Sequence, residues 1–434
     1  MMRRALAAAA RGQGLTHPNP SVGAVVYRGD RVLAVGTTRP PGGAHAEIVA
    51  MDRARRRFGS AVLRGASLAV TLEPCSFTGR TGPCTEAILA SGIARVVAGC
   101  RDPHHRVAGR GFARLRRAGV EVVAGVLEAE CREMHRGFLS VCERGRPFVT
   151  LKLATSLDGR IATARGESRW ITSPTSRARV HRLRRRVDAV LVGSGTALAD
   201  DPELTVRRGD RVVRTPVRVL IDGRLRVPAS ARLFVGGAER RDDSSAAGAP
   251  HPPRAGASAS RAARSGETWV VCGRAARGRP AARRRVDRLI EVDCDRAGHV
   301  DLRAALPALA EAGLTSILVE GGGELAAALL RADLVDEVHW FLAPRLIGSE
   351  GRAALGALGL ERLADARSFA GWRVDRSGPD LHVSGRLAPA PREPRAGRRS
   401  SDCRDSVGPG RSHESEARKS ATRKPAKSGA RRPQ

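Results

Sequence analysis

Residues 71–84 read TLEPCSFTGRTGPC, and their meaning turns on a second stretch, GGAHAE, at residues 42–47. The first offers two thiols, Cys75 after Pro74 and Cys84 after Pro83, with eight residues between them. The second offers His45 and, two positions on, Glu47. His-x-Glu alone is a common accident, and a pair of cysteines alone reads as two small buried side chains. Together they say more. One imidazole and two thiolates are three of the four ligands of a tetrahedral zinc, and the fourth position stays open for water. A metal with that vacancy lowers the pKa of its water toward about 7 and makes hydroxide available at neutral pH. Glu47 falls at the start of a predicted helix, where it can sit near that water without ligating the metal.

The flanking patterns supply the local structure. Residues 66–75, ASLAVTLEPC, read as a strand running into a loop, and residues 85–93, TEAILASGI, as a helix. AHAEIVAMDRARRRF, 44–58, has Ile48, Met51, Ala54 and Phe58 at helical spacing, with cations in its last turns. VGAVVY (22–27) and RVLAVG (31–36) flank Arg28-Gly29-Asp30, a turn signal between strands. RVVAGC, GFARLRRAG and VEVVAG then read as strand, helix and strand between residues 95 and 125. Strands separated by helices predict an α/β sheet with helices on its faces. At GRPFVTLKLATSLDGRIA, 145–162, the pattern begins afresh: 145–147 reads as a linker and 148–153 as a dense strand. Alternation resumes in DAVLVGSGTAL, VRVLIDG, ETWVVCG, TSILVEGGGELAAALLRA and VDEVHWFLAPRLIG. The expected organisation is one domain over 1–145, a second over 146–388, and a basic disordered tail over 389–434. Residues 237–267, rich in Ala, Gly, Ser, Pro and Arg, read as a disordered surface insertion in the second domain.

Composition narrows the function classes. The chain has 434 residues and is 41% hydrophobic, enough for two or three ordinary cores. No apolar run approaches the roughly 18–20 residues of a membrane span. The opening MMRRALAAAARGQG has an apolar stretch, 5–10, shorter than the signal-peptide range of about 7–15 residues; it reads as an amphipathic helix, and a cytoplasmic protein is expected. The net charge of +32 invites a nucleic-acid reading, but arginine is spread along the whole chain and aromatics are only 3%. No dedicated nucleic-acid partner is expected. Eight cysteines in such a length are too sparse for a disulfide framework.

His45-x-Glu47 with Pro74-Cys75 and a second cysteine is the pattern of zinc nucleobase deaminases, in which the glutamate relays protons. The common signature has two residues between its cysteines, against eight here. His104 and His105 are available as further ligands but lie beyond another helix and strand. THPNPSVGAVV (16–26), HAE (45–47), TLEPCSFTGRTGPC (71–84) and DPHHRVAGRG (102–111) resemble the deaminase half of the bifunctional riboflavin-biosynthesis deaminase–reductases. A long gap rich in Gly and Thr is typical of that family. The resemblance implies a cytidine-deaminase-like three-layer domain, zinc on His45, Cys75 and Cys84, and Glu47 as the catalytic proton shuttle. Asn19 matches a family position that faces the pyrimidine; an Asn-Pro turn residue is the equal alternative.

In the second half, VEGGGELAAALL at 319–330 is a strand, three glycines and a helix, and Gly321, Gly323 and Ala326 fit G-x-G-x-x-G/A. Such glycines let a phosphate approach the backbone at a helix N-terminus. The motif comes late, and no acid stands about 20 residues on to hold a ribose, so a glycine-rich structural turn is the alternative. LKLATSLDGRIA (151–162), GESRWITS (166–173), ADDPELTVR (199–207), LIDG (220–223) and VEGGGELAAALL resemble the reductase half of the same family, which is similar in fold to dihydrofolate reductase. That resemblance implies NADPH, held at Ala154, Trp170, Thr196, Asp200, Gly223, Gly322, Gly323, Glu324, Leu325, Ala326, Ala327 and Ala328. It implies substrate contacts at Ser168, Arg184, Leu204, Arg207 and Glu320. Guanidinium forks at Arg184 and Arg207 suit a sugar phosphate, and Glu320 at a strand end suits a base or ribose. Gly223 stands where the family often has Ser, so its contact is through backbone. Lys152 lies within a strand within reach of substrate and stays outside the expected set. The implied reactions are deamination of a small pyrimidine ribose phosphate and reduction of its ribosyl group to ribityl. The rivals are a related deaminase with a degenerate second domain and a basic RNA-binding protein on a deaminase scaffold. A homo-oligomer is compatible with all of these.

Overall fold

The strand Ser67–Leu72 is buried along almost its whole length, and the first half of the molecule is built around it. In the computed structural model, which describes residues 1–78, 82–235, 266–276 and 286–389, it is the centre of a five-stranded sheet. The order is Arg31–Thr37, Gly23–Arg28, Ser67–Leu72, Arg95–Cys100, Glu121–Val123. The first three strands are antiparallel neighbours and the last three are parallel. Apart from their edge residues, the expected insertion 237–267 and tail 389–434 lie outside the described residues.

Two glycines show how helices cover both faces of this sheet. A Cβ on Gly23 would lie 1.9 Å from the Ala5 carbonyl oxygen, and one on Gly36 would lie 2.1 Å from that of Ala46. The helices Met2–Gly12 and Ala46–Phe58 therefore rest directly on the strands. Gly36 pairs with Ala24, the neighbour of Gly23. Adjacent strand positions point to opposite faces, so the two helices lie on opposite sides. The result is three layers, closed over a core that includes Val25, Met51, Leu68, Val70, Ile88 and Leu115.

The second half carries a nine-stranded sheet among the described residues. Its order is Arg288–Val292, Thr268–Gly273, Val217–Ile221, Ala189–Gly193, Ser316–Val319, Phe148–Ser156, Glu337–Ala343, Asp380–Leu387, Phe369–Ser377. The first seven run parallel; the last two add on antiparallel. Parallel strands covered on both faces read as unbroken apolar runs, and Val217–Ile221 and Thr268–Gly273 are buried at every position. The edge strand Phe369–Ser377 is instead exposed over most of its length. No helix among the described residues is long and apolar enough to cross a membrane.

The two sheets are joined through buried polar contacts. Asp336 accepts from Arg144 at 2.5 Å, from both terminal nitrogens of Arg146 at 2.8 Å and from the Val149 amide at 2.7 Å. His135, in the connection, is buried and its Nε2 lies 3.0 Å from Thr71 Oγ1. Burial pushes its pKa down to about 4. An unfolded histidine takes its proton near pH 6.5, whereas this one stays neutral in the folded protein until about 4. Between those values the unfolded chain binds the extra proton, so stability must fall as pH falls through that window and is complete above it. Replacing His135 by Gln is expected to flatten the decline of the urea midpoint between pH 6.5 and 4. An unchanged slope would show that His135 contributes nothing to it.

Candidate active sites

Three elements bring the first site together. Strand Ser67–Leu72 delivers the chain to Cys75; Cys84 opens the helix Cys84–Ser91; His45 is the N-cap of Ala46–Phe58. His45 Nδ1 lies 3.2 Å from Cys84 Sγ and 3.6 Å from Cys75 Sγ, and the three ligand atoms all fall within 4.8 Å of one another. Zinc bonds of about 2.0 Å to nitrogen and 2.3 Å to sulfur imply edges of about 3.5–3.8 Å in a tetrahedron. The observed spacing fits such an ion. Among the described residues this is the one group of three His, Cys or acidic side chains with that reach.

Charge organises the pocket. The helices beginning at Ala46 and Cys84 turn their positive ends toward it, which favours thiolates. The Cys84 amide donates to Cys75 Sγ at 3.3 Å. Hydrogen bonding from Cys84, supported by His45, pulls the Cys75 thiol down to about 4, while the bond to Cys75 and burial push the Cys84 thiol up. One proton thus serves two sulfurs, and a metal ion takes its place by binding both as thiolates. Glu47 is only 4% exposed. Burial first, and the charge of Cys75 second, raise its pKa to about 7. A carboxyl poised there can both accept and return a proton.

One important residue carried no sequence expectation. Glu73 is buried and accepts four backbone N–H bonds: Gly111 at 2.9 Å and Phe112 at 3.2 Å on Oε1, Gly109 at 3.0 Å and Asp102 at 3.2 Å on Oε2. It pins the 102–111 loop beside the ligand strand, so closely that a Cβ on Gly111 would lie 2.1 Å from the Pro74 carbonyl. His104 and His105 stack on each other at 4.5 Å in that loop and are outside the ligand cluster. The available signal was an acid at a strand end facing a glycine-rich segment. Asn19 is half-buried. It lies four residues before Gly23–Arg28, the strand that pairs with the ligand strand Ser67–Leu72.

The second site is a cavity of about 580 Å³ at the carboxyl ends of Phe148–Ser156, Ala189–Gly193 and Ser316–Val319, where open α/β sheets bind ligands. Of the expected residues, Ala154, Ser168, Trp170, Arg184, Thr196, Asp200, Leu204, Arg207, Glu320 and Gly322 line it. At its floor Glu320 accepts from Arg184 Nε at 2.5 Å and Nη2 at 2.9 Å, while Arg184 Nη1 donates to the Thr205 carbonyl at 2.7 Å. Arg184 is therefore committed to a carboxylate rather than held open for a phosphate, with two of its five N–H groups left over. Lys152 also lines the cavity, and burial lowers its pKa. Arg177 lies over the Trp170 ring at 4.5 Å, and His181 Nδ1 accepts from the Arg207 amide at 3.2 Å; neither was singled out from sequence.

Seven expected nucleotide residues do not line this cavity. Gly223 packs against backbone, where a Cβ would meet the Gly298 carbonyl oxygen at 2.2 Å. Gly323, Glu324, Leu325, Ala326, Ala327 and Ala328 belong to the helix Gly323–Arg331, and Ala326 and Ala327 are wholly buried beneath it. That helix offers its N-terminal amides instead, with Gly322 as N-cap beside Thr196. A glycine N-cap bordering a cavity fits the phosphate end of a nucleotide.

Residues 1–100 match the cytidine and deoxycytidylate deaminase zinc-binding region, and residues 147–374 match the RibD C-terminal domain. The chain is 39% identical over 399 residues to the riboflavin biosynthesis protein RibD of Escherichia coli, covering 88% of this chain and 98% of the relative. To RibD of Bacillus amyloliquefaciens it is 36% identical over 388 residues, covering 88% and 94%. A crystal structure of a diaminohydroxyphosphoribosylaminopyrimidine deaminase/5-amino-6-(5-phosphoribosylamino)uracil reductase from Thermotoga maritima superposes with a TM-score of 0.73 at 34% identity, covering 90% of this chain and 97% of the other. Two half-matches in one chain, each carrying its own site and both continued by full-length relatives, leave one conclusion: the chain belongs to the RibD family, the zinc- and NADPH-dependent bifunctional deaminase–reductases of riboflavin biosynthesis.

Proposed function

We propose that the chain deaminates 2,5-diamino-6-ribosylamino-4(3H)-pyrimidinone 5′-phosphate in its 1–145 half and reduces the ribosyl group of the product to ribityl in its 146–388 half. The activities named for the Thermotoga maritima relative support this substrate. The observation that carries the first step is the convergence of His45, Cys75 and Cys84 beside the buried Glu47 carboxyl. Those three residues hold the zinc. When bound, it supplies Lewis acidity that makes water nucleophilic at neutral pH. Glu47 accepts the proton of the attacking water and passes it to the departing amine. Glu73 keeps the 102–111 loop closed against the ligand strand, and Asn19 meets the edge of the pyrimidine.

For the second step, NADPH is the hydride donor, and the protein contributes orientation. The amide end of Gly323–Arg331 and the Thr196 hydroxyl hold its phosphates, and Ala154, Trp170 and Asp200 border the rest. Glu320, fixed by Arg184, accepts from the hydroxyls of the sugar, and Ser168, Leu204 and Arg207 complete the substrate side. The substrate is a small molecule, and we place the enzyme in the cytoplasm with no dedicated nucleic-acid partner. The exposed edge strand Phe369–Ser377, with Trp372 at its surface, is compatible with a homo-oligomer.

Two substitutions separate the halves. Glu47→Gln is expected to cut ammonia release by about 10²–10⁴-fold while leaving NADPH oxidation with the deaminated pyrimidine intact; equal loss of both would contradict two independent sites. Glu320→Gln is expected to do the reverse, lowering kcat/KM for reduction by about 10–100-fold, the worth of a charged hydrogen bond. Ammonia release measured on the same preparation should not change, and a parallel fall would sink the assignment.

A further inference from the structure

The turn that presents Asn19 to the first site is anchored by the second half of the chain. Its own bonds make it stiff: the Asn19 amide donates to the Thr16 carbonyl at 2.9 Å, and Thr16 Oγ1 donates to the Asn19 carbonyl at 3.0 Å. Beyond those, two anchors come from residues more than 160 positions away. Arg214 donates from Nη2 to the Gly14 carbonyl. The same guanidinium donates to the Arg185 carbonyl at 2.7 Å and the Val187 carbonyl at 3.0 Å, the open end of the helix Pro174–Arg186. Gly14 sits so close that a Cβ there would lie 2.3 Å from Arg214 Nη1 and 2.8 Å from both carbonyl oxygens; its φ of +73° also favours glycine.

The second contact is electrostatic: His17 Nδ1 faces Asp188 Oδ1 at 3.6 Å, longer than a hydrogen bond, with both side chains 5% exposed. Asp188 is itself immobilised. Its Oδ2 accepts from the Thr315 amide at 2.9 Å, the Thr315 hydroxyl at 2.6 Å and the Ser316 amide at 3.0 Å. The turn thus meets the second half at its start, through Arg214 at the end of a two-stranded ribbon, and at its middle, through Asp188 just ahead of Ala189–Gly193. Five residues after Asn19 the chain pairs with the ligand strand, Ala24 opposite Val70.

We propose that Arg214 and Asp188, both in the reductase half, are positioning residues of the deaminase: through Gly14 and His17 they fix the turn that carries Asn19, just ahead of the strand that pairs with the ligand strand. This rests on the reading that Asn19 meets the pyrimidine. A turn ordered before substrate arrives loses no freedom on binding, so the contribution falls on affinity for the pyrimidine rather than on the proton transfers at Glu47. It also makes the first activity depend on the second half for a reason separate from folding. His17 is the contact that separates the two activities, because it does not line the reductase cavity, whereas Arg214 also ends the helix that carries Arg184.

The test is steady-state kinetics of both activities on the full-length, zinc-loaded protein, with zinc content and Tm measured alongside. Asn19→Ala, His17→Ala and Arg214→Ala are each expected to raise KM for ammonia release about tenfold with kcat changed by less than about threefold. His17→Ala should leave zinc content and reduction of the deaminated pyrimidine unchanged. His17→Asn, whose amide can stand where Nδ1 stands, should recover most of the lost affinity. A raised KM in Asn19→Ala but not in His17→Ala or Arg214→Ala would overturn the positioning role while leaving the Asn19 reading intact. No effect of Asn19→Ala would overturn that reading and the proposal with it. Equal loss of both activities in His17→Ala together with a lowered Tm would reduce the contact to structural glue.

Discussion

Two thiols and an imidazole are packed together at the positive ends of two helices, Cys84 buried and the others half-buried, and both sulfurs can be thiolates at once only when a cation joins them. Much of the first half follows from that constraint. The ligand strand must end where the two helices begin, and Gly36 lets the helix bearing His45 lie directly on the sheet. Glu73 ties the following loop to the same strand end through four amides. The carboxyl that does not ligate, Glu47, is raised toward neutrality by the same burial that makes the metal necessary. A carboxylate left in water would have neither property.

The second site solves its charge problem internally. Glu320 and Arg184 neutralise each other at the cavity floor, with Lys152 nearby, so the polar groups are set before any ligand binds. A buried pair of this kind contributes little net stability but fixes geometry. Part of the remaining wall is backbone rather than side chain, at the start of Gly323–Arg331. The two halves therefore differ in what they ask of a cofactor. One exchanges a proton shared by two sulfurs for its ion, and the other pairs its charges internally and is shaped as a cleft.

The legible parts of the sequence were those where residue type is scarce and chemistry is specific. His45, Glu47, Cys75 and Cys84 could be read because two Pro-Cys steps and a His-x-Glu at strand and helix ends seldom coincide. The buried parallel strands could be read because they are continuous apolar runs. Arg184 could be named through family resemblance but not its pairing, since Glu320 lies 136 residues away in a chain crowded with arginine. The helix Pro174–Arg186 left little trace because it is polar all round and buries only Ser176 and Val180; its one local signal was Ser173, which caps it ahead of Pro174. The strand Phe369–Ser377 went unread because an exposed antiparallel edge has no apolar run, and its inner neighbour Asp380–Leu387 because the positions it buries, Asp380, His382 and Ser384, are polar. The glycine motif was legible as a motif but not in its consequences: Ala326 serves the core, and only the helix start faces the cavity.

The metal site is tested most directly by zinc-edge X-ray absorption on the purified, active protein, with metal content from the same sample. The account predicts one zinc per chain in a shell of two sulfurs at about 2.3 Å and one imidazole nitrogen at about 2.0 Å. A fourth, light ligand would complete that shell. Full ammonia-releasing activity in protein with no transition metal, or a zinc shell without the two sulfurs, would contradict it.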